Sequence, residues 1–405
     1  MLDQHNFAQA FDELTQLLIC YQAIWRPQPF SDEVLPWLAN YSSLHEALLA
    51  LSAQQLDAFE EEQLLLDWMA GYLPTLNVLN AWHITPYTGP LLAMAKFADS
   101  GIPGRKKQQI VAFSSAVCQQ LAVKGPIVDW CSGKGHLARQ LHQLSQQAVT
   151  CLEYDAKLCK DGEHLSTAMQ CDVHFVQQDV LQAIDKKISA DANLHTALHA
   201  CGELHVQMLK TAVNEGSANI ACAPCCYHLS AAPCYQPLSA AGKLSQLQLD
   251  KRDLRLAVLQ TVTGGQRIRR LRQQELQWRI AFDLLQRDVT GVDQYRPCPS
   301  FNKQYLSGRF IDYAKMMVSR AQLTLPLQLD EQQLLSKAGQ KYHRIIRLEK
   351  ARLAFRKALE YWLLLDRVLY VQEQGYEVQL NSFCAHEVSP RNALILARRT
   401  TANPA

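Results

Sequence analysis

Five short apolar runs in the middle of the sequence each end at residues that could do chemistry. They end at Asp129, Glu153, Asp179, His199 and the stretch Cys222–Cys226. Parallel strands of an α/β sheet bring their carboxyl ends to one edge, and ligands bind there. We therefore expect these side chains to line one rim, where carboxylates accept hydrogen bonds and imidazoles exchange protons near neutral pH.

The first run leads into the sequence Asp-Trp-Cys-Ser-Gly-Lys-Gly-His, which starts at Asp129. Gly133 and Gly135 lack a Cβ, so a ligand can approach the bare backbone, and the helix that follows offers free N–H groups. The pattern lacks the third glycine of a dinucleotide fingerprint and is similar to the nucleoside loop of S-adenosylmethionine (SAM) methyltransferases. The candidate cofactor residues are Asp129, Cys131, Gly133, Lys134 and Gly135, and a simple strand-to-helix turn is the alternative.

Two further acidic residues extend this candidate cofactor site. Glu153 lies 18 residues after Gly135, close to the roughly 20 residues at which dinucleotide enzymes place the acid that binds ribose. Asp179 ends the third run and could meet the adenine amino group. The alternatives are an exposed strand-end acid for Glu153 and a helix cap for Asp179.

Cysteine and histidine residues gather at the ends of the fourth and fifth runs, which would form adjacent central strands. A methyl acceptor at these strand ends would face the sulfonium of SAM. We expect one histidine, His199 or His228, to accept a proton there. The residues expected to border the acceptor pocket are His199, Cys201, Cys225, Cys226 and His228, and His199 also borders the cofactor.

Two other interpretations of the cysteine and histidine residues stay open. Zinc takes four Cys or His ligands in closed structural sites. The candidate ligands for such a site are Cys201, Cys222, Cys225, Cys226, His228 and Cys234. Their spacing is irregular and lacks a clean pair of Cys-x-x-Cys motifs, so the sequence assigns no metal. Single cysteines of this set can also be small buried core residues.

The elements that must position these residues follow from the alternation of apolar runs and helical stretches. This alternation predicts a parallel, doubly wound α/β sheet. A helix is expected over Gln108–Ala122 and a long helix over Lys341–Arg367. Tyr376–Phe383 and Ala393–Ala397 read as two strands that close the sheet with an antiparallel edge pair.

The chain length of 405 residues, together with Gly and Pro clusters that interrupt helices and strands, predicts several domains. We expect a helical domain over residues 1–99 and the first part of the sheet domain over 100–235. A mainly helical, basic insertion follows over 236–338, and the sheet domain resumes over 339–405.

Charge and composition limit the possible binding partners and the cellular location of the protein. The net charge is only +2, but Lys251–Arg287 holds nine Lys or Arg against three acids, and Lys341–Lys357 holds seven against one. Such stretches could contact RNA phosphates, and a solvated helix is the default. No signal peptide or membrane span is visible, and the 13 cysteines are not spaced like a disulfide scaffold. We expect a cytoplasmic protein with no membrane contact.

The ordered motifs resemble the methyltransferase-like 25 family, which includes the ribosomal RNA adenine dimethylase domain-containing proteins. They are similar to the glutathione transferase C-terminal-domain-containing protein and, more distantly, to a eukaryotic tRNA ribose methyltransferase. The resemblance covers about residues 100–235 and 340–400. Its motifs are the loop from Asp129, Leu198-His-Ala-Cys-Gly, Cys225-Cys-Tyr-His, Leu365-Asp-Arg-Val-Leu-Tyr and Ser389-Pro-Arg-Asn.

This resemblance implies a class I SAM-dependent methyltransferase with a Rossmann-like, seven-stranded sheet. It also implies that Asp129, Gly133 and Gly135 hold SAM, Glu153 the ribose and Asp179 the adenine. The Asn/Asp-Pro-Pro-Tyr/Phe tetrad of base-amino methyltransferases is absent from the sequence, which disfavours adenine or glutamine N-methylation.

The leading hypothesis is therefore a SAM-dependent methyltransferase that acts on a macromolecule, with tRNA or ribosomal RNA as the favoured acceptor. One alternative is a non-catalytic nucleic-acid or protein binding module on the same scaffold. The other is a metal-binding protein that uses the cysteine and histidine cluster.

Overall fold

The structure is a computed structural model that describes residues 2–3, 5–32, 34–95, 101–182, 184–259, 266–326 and 328–400. Two short 3₁₀ turns lie at Pro74–Asn77 and Lys303–Ser307. The α-helices are α1 (Phe7–Cys20), α2 (Gln22–Trp25), α3 (Trp37–Asn40), α4 (Ser42–Leu49), α5 (Ala53–Ala58), α6 (Glu62–Ala70), α7 (Val78–Ala81), α8 (Gly104–Gln120), α9 (His136–Ser145), α10 (Ala156–Ala168), α11 (Lys186–Ser189), α12 (Glu203–Asn214), α13 (Ala240–Leu244), α14 (Lys251–Ala257), α15 (Gln266–Thr290), α16 (Phe310–Arg320), α17 (Glu331–Leu353) and α18 (Arg356–Glu373).

The described strands form one sheet in the order β1-β7-β8-β6-β5-β2-β3-β4. They are β1 (Thr85–Pro86), β2 (Ile127–Trp130), β3 (Val149–Glu153), β4 (Val173–Gln177), β5 (Leu194–Cys201), β6 (Asn219–Cys225), β7 (Tyr376–Ser382) and β8 (Ala393–Arg399). Strands β2 to β6 pair in parallel, and β8 runs antiparallel between β6 and β7. The predicted Rossmann-like α/β class is confirmed. The sheet has eight strands rather than seven because the two-residue β1 adds to the edge beside β7.

The central strands form because their side chains are apolar and buried on both faces, as parallel sheets require. Every residue of β2 and of β6 is buried. Helices α8 and α9 cover one face and contribute Phe113 and Leu141 to a core that also holds Leu394 of β8. This packing fixes the carboxyl ends of the strands, where the candidate residues lie.

A buried polar network holds the segment that follows β6. Asp366 of α18 accepts hydrogen bonds from the Tyr235 hydroxyl (2.5 Å), the Leu238 amide (2.9 Å) and both the amide and the hydroxyl of Ser239 (3.0 and 2.6 Å). Its neighbour Arg367 donates to His205 Nε2 at 2.8 Å. The Leu365-Asp-Arg motif therefore fixes the backbone beside the ends of β5 and β6.

The expected single helix over Lys341–Arg367 is wrong. The structure has α17, which ends at Leu353, and α18, which starts at Arg356. The intervening Phe355 is fully buried, and its amide bonds to the Arg352 carbonyl in a tight i to i−3 turn of 3.1 Å. Apolar spacing stays in phase across this turn, which is why the sequence pattern suggested one helix.

Contacts group the chain into two compact units. One holds Met1–Ile19, Val78–Leu259 and Lys357–Ala405, and the other holds Cys20–Asn77 and Gln260–Arg356. The first unit contains the whole sheet, and the second is helical. These groups differ from the expected boundaries near residues 99, 235 and 338, and the division into independently folding domains remains a prediction. No described helix has the length and apolarity to cross a membrane.

Candidate functional site

Asp129 lies at the end of β2 and is almost completely buried, with 2% of its surface exposed. Its Oδ2 atom has no hydrogen-bond partner among the described residues. Burial raises the pKa of this carboxyl to about 8, with a smaller increase from Glu153 and an opposing effect of Lys106. A buried oxygen without a partner at the rim is suited to a polar group of a ligand.

The loop after β2 turns tightly through positive φ angles of 55° at Cys131, 58° at Gly133 and 69° at Gly135. A Cβ added to Gly133 would meet no atom within 4 Å, whereas one on Gly135 would lie 2.5 Å from Phe175 Cζ. The two glycines therefore differ in what they permit. Gly133 leaves bare backbone facing open space, and Gly135 lets the protein pack against itself at the start of α9.

Glu153 fixes this loop from the end of β3. Its Oε2 accepts a hydrogen bond from the Gly133 amide at 2.8 Å, and its Oε1 accepts one from the Asp155 amide at 3.0 Å. The carboxylate is therefore held in one orientation, and each oxygen keeps a lone pair for another donor. Asp179 is half-buried after β4, and its Oδ1 accepts from the Leu181 amide at 3.0 Å. This bond orders the turn that follows the strand.

The other two candidate loop residues, Lys134 and Cys131, interact with other parts of the protein. Lys134 Nζ pairs with Asp161 of α10 at 2.8 Å, so its ammonium is directed to that helix. Burial raises the pKa of the half-buried Cys131 thiol to about 12, with further increases from Glu153, Asp129 and Cys201. Cys131 is therefore a neutral thiol at physiological pH.

His199 lies near the end of β5, where the pairing register with β6 shifts between Leu198 and Cys201. It has a φ of 65°, and its Nε2 lies 2.9 Å from Gln109 Oε1 of α8. Burial lowers its pKa to about 4, and the charges of Arg391 and Lys106 lower it further. The imidazole is neutral at neutral pH and is a weaker base than an ordinary histidine.

Three thiols meet beside His199. The Cys201 and Cys225 sulfurs are 3.3 Å apart, and the ligand atoms of Cys201, Cys225 and Cys226 all lie within 4.8 Å of one another. A hydrogen bond from Cys225 lowers the pKa of Cys201 to about 6, against the effect of burial. The same interaction raises the pKa of Cys225. Cys201 and Cys225 therefore share a hydrogen bond between their sulfurs, which favours the loss of one proton from the pair.

Two cysteines proposed as zinc ligands from the sequence lie outside this group. Cys222 is fully buried inside β6, where burial raises its pKa to about 12. Cys234 is exposed and belongs to an isolated bridge with Asp250. Only the three cysteines named above form a group close enough for one ion in the part of the chain that the structure describes.

His228 follows the cysteine pair and is half-buried. Its Nδ1 is buried without a hydrogen-bond partner among the described residues. Burial lowers its pKa, and Arg255 and Arg391 lower it further. The structure therefore brings all five expected acceptor-side residues to the ends of β5 and β6.

The sequence analysis missed Arg391 as a site residue. Its guanidinium donates to the Val258 carbonyl, and its Nε is buried without a partner among the described residues. Its charge lowers the pKa of His199, Cys201, Cys226 and His228. The Ser389-Pro-Arg-Asn motif contains this residue, but the sequence linked the motif only to the family resemblance and not to the site. Lys106 and Gln109 of α8 were also missed, because this segment was predicted only as a helix over Gln108–Ala122 and was not linked to the site.

Three of the seven Lys and Arg residues in the basic stretch Lys341–Lys357 are buried, which reduces the number that could contact RNA phosphates there. Lys350, Arg352 and Arg356 are each less than 10% exposed. They pair with Glu60, Glu349 and Glu62, respectively. Buried cations need such partners, so these three stabilise the helical unit.

The stretch Lys251–Arg287 is different at the start of α15. Arg267, Arg269, Arg270 and Arg272 are all exposed. The second half of this helix is neutralised, since Arg279 pairs with Glu275. Within α15, the positive charge open to solvent is therefore concentrated in the first two turns, and Arg252 and Arg255 of α14 are exposed as well.

Residues 105–233 match a family model described as a Methyltransferase domain. This match agrees with the strand order and confirms a methyltransferase domain over this segment. All of the candidate cofactor and acceptor-side residues named from the sequence fall within the matched segment.

The human Glutathione S-transferase C-terminal domain-containing protein is 28% identical over 125 residues, which are 30% of this chain and 19% of that protein. Its Mus musculus counterpart is 29% identical over the same length and shares. The chain therefore spans about a fifth of the length of these curated relatives.

Among solved structures, the Pyrococcus abyssi tRNA (uracil-54, C5)-methyltransferase in complex with S-adenosyl-L-homocysteine is 15% identical. The likeness covers 29% of this chain and 28% of that chain, with a TM-score of 0.24. Magnesium protoporphyrin IX methyltransferase from Synechocystis PCC 6803 is 14% identical over 32% of this chain and 61% of that chain, with a TM-score of 0.26. With scores this low, the fold assignment depends on the strand order and the family match.

Proposed function

We propose that this protein transfers a methyl group from SAM and that its cofactor lies on the loop after β2. The observation that carries the proposal is the different surroundings of the two glycines. Gly133 presents bare backbone to open space, and its amide is fixed by Glu153 at 2.8 Å. A loop kept open on one side and anchored on the other is suited to hold a ligand at the strand ends.

In this proposal the cofactor-site residues contact different parts of SAM. The buried carboxyl of Asp129, with Oδ2 unpartnered among the described residues, would meet the methionine end. Gly133 and Gly135 would form the loop under it, with the backbone of Cys131 and Lys134. Glu153 would accept bonds from the ribose hydroxyls, and Asp179 would meet the adenine amino group.

The acceptor would enter at the ends of β5 and β6, among His199, Cys201, Cys225, Cys226 and His228. The acceptor lone pair forms a bond to the methyl carbon while the carbon–sulfonium bond breaks and the electron pair stays on sulfur. A proton lost by the acceptor goes to a neutral imidazole or to water. Because burial weakens both histidines as bases, we assign most of the rate enhancement to alignment of the reactants.

We propose RNA as the acceptor, with tRNA or ribosomal RNA as the first candidates. The four exposed arginines at the start of α15 support this proposal, because clustered cations bind a phosphate backbone. The motif resemblance to the methyltransferase-like 25 family and to a tRNA ribose methyltransferase points the same way. We also infer a cytoplasmic location, in line with 13 unpaired cysteines.

Calorimetry with S-adenosylhomocysteine and the full chain tests the cofactor site. A labelled-SAM transfer assay against total tRNA, ribosomal RNA and cell protein fractions then tests the reaction. We expect label in an RNA fraction, and label confined to protein would contradict the RNA proposal. A folded chain that binds no S-adenosylhomocysteine at millimolar concentration would contradict the whole proposal.

The exposed arginines also favour a second candidate, an RNA-binding module without catalysis. It would bind RNA with an affinity that falls with salt and would need no SAM. Replacing Arg269 and Arg270 by Glu should weaken RNA binding in either case. Transfer of label separates the two, since only the enzyme modifies the RNA.

A further inference from the structure

The ends of β5 and β6 bring three sulfur atoms together from two strands. Cys201 and Cys225 have their sulfurs 3.3 Å apart, and the Cys226 sulfur lies within 4.8 Å of both. Two of these thiols are half-buried and Cys225 is almost fully buried. The group is therefore accessible from the rim but shielded from bulk solvent.

The backbone leaves regular strand geometry to make this meeting possible. Successive side chains of a strand point to opposite faces, so neighbours such as Cys225 and Cys226 ordinarily diverge. Here β6 ends at Cys225, and Cys226 has a φ of 49°. On the adjacent strand, the register shift before Cys201 and the positive φ of His199 change the direction of that thiol. Positive φ values at non-glycine residues cost energy and gather at functional sites.

From this convergence we propose that Cys201, Cys225 and Cys226 bind one zinc ion as thiolates, with the fourth position of the metal open. Zinc–sulfur bonds of about 2.3 Å in a tetrahedral site place neighbouring sulfurs about 3.8 Å apart. The Cys201 and Cys225 sulfurs are 3.3 Å apart and the other two separations are at most 4.8 Å, so small side-chain rotations are sufficient to reach this geometry. Three protein ligands and one open position are typical of catalytic rather than closed structural zinc sites.

The surrounding charge suits this ion. Zinc with three thiolates carries one net negative charge, and the positive charge of Arg391 acts on two of the three sulfurs, those of Cys201 and Cys226. The buried Nε of Arg391 has no partner among the described residues and could donate to a thiolate. In the proposed methyltransferase the open position would face the acceptor, a part of the inference that depends on the proposed function.

The experiment measures metal in the full chain, purified under reducing conditions without chelator and then exposed to ZnSO₄ and desalted. Plasma mass spectrometry should find about one zinc ion per chain. Cys201→Ser and Cys226→Ser should each lose most of it. Cys234→Ser is the matched control, because that exposed thiol lies outside the group, and it should keep the full amount.

Cobalt(II) substitution gives a second readout through the sulfur-to-cobalt charge-transfer band. The wild type and Cys234→Ser should show the band, and Cys226→Ser should lack it while keeping its circular dichroism. His228→Gln should keep the metal, and loss of metal there would contradict the open fourth position. A folded wild type that takes up neither ion overturns the zinc site. Because no SAM is used, this failure is distinguishable from failure of the proposed methyl transfer.

Discussion

Replacing Gly133 by Ala separates a ligand-holding loop from an ordinary strand-to-helix turn. The new methyl group would enter open space, with no described atom within 4 Å, so its packing cost is small. The residue keeps a φ of 58°, which costs an L-amino acid about 1–2 kcal/mol. We therefore expect a modest loss of folding free energy and a large loss of affinity for S-adenosylhomocysteine, at least about tenfold or 1.4 kcal/mol.

Two other glycines provide matched controls. Gly291 also has a positive φ, of 66°, and open space around its Cβ position, but it lies in the helical unit. Gly291→Ala should have the same backbone cost and bind the cofactor normally. Gly135→Ala adds the clash with Phe175 at 2.5 Å. Overpacking of about 1–3 kcal/mol should then be added to the backbone cost.

Isothermal titration with S-adenosylhomocysteine and denaturant unfolding measure the two quantities on each variant. If the Gly133 backbone contacts the cofactor, Gly133→Ala must lose far more affinity than Gly291→Ala at equal stability. Equal affinities in those two variants would show that the bare backbone at Gly133 does not contact the cofactor. If Gly135→Ala lost no more unfolding free energy than Gly291→Ala, the predicted clash with Phe175 would be wrong.

Three further predictions concern side chains with defined partners. Glu153→Gln should raise the Kd for S-adenosylhomocysteine about tenfold in calorimetry, because only one amide oxygen remains for two backbone N–H donors; an unchanged Kd would contradict this. Asp366→Asn should lower the unfolding free energy by about 3 kcal/mol in denaturant titrations, since four buried hydrogen bonds converge on that carboxylate. His205 has its pKa lowered well below 6.5 by burial and then by Arg367. The folded state thus resists protonation, and stability should be full above about pH 6.5 and decline below it. His205→Gln should flatten that decline, and an unchanged slope would exclude His205 as its source.

The sheet was largely predictable because each central strand is a short apolar run bounded by polar residues. The second predicted run ends at Glu153, which is also the last residue of β3. Parallel pairing followed from the alternation with helices, and it correctly placed Asp129, Glu153 and His199 at one edge. Periodicity could not locate the turn at Phe355, because tertiary burial decides where that helix breaks.

The details of the candidate site depend on backbone turns and on distant residues that no local pattern encodes. The meeting of Cys226 with Cys201 needs a positive φ that the sequence does not signal. Arg391 reaches the same group from the end of the chain. Conversely, the basic stretch ending at Lys357 looked exposed in the sequence, but Lys350 and Arg356 are buried and pair with Glu60 and Glu62.

The position of β8 between β6 and β7 has a consequence for synthesis. Until residues 393–399 leave the ribosome, β6 has an unpaired edge, since β8 is its neighbour on that side. Asp366 must also emerge before the segment after β6 can settle. The rim that carries the candidate site is therefore completed last, and a nascent or truncated chain presents an open apolar strand edge to other chains. Such chains should depend on chaperones.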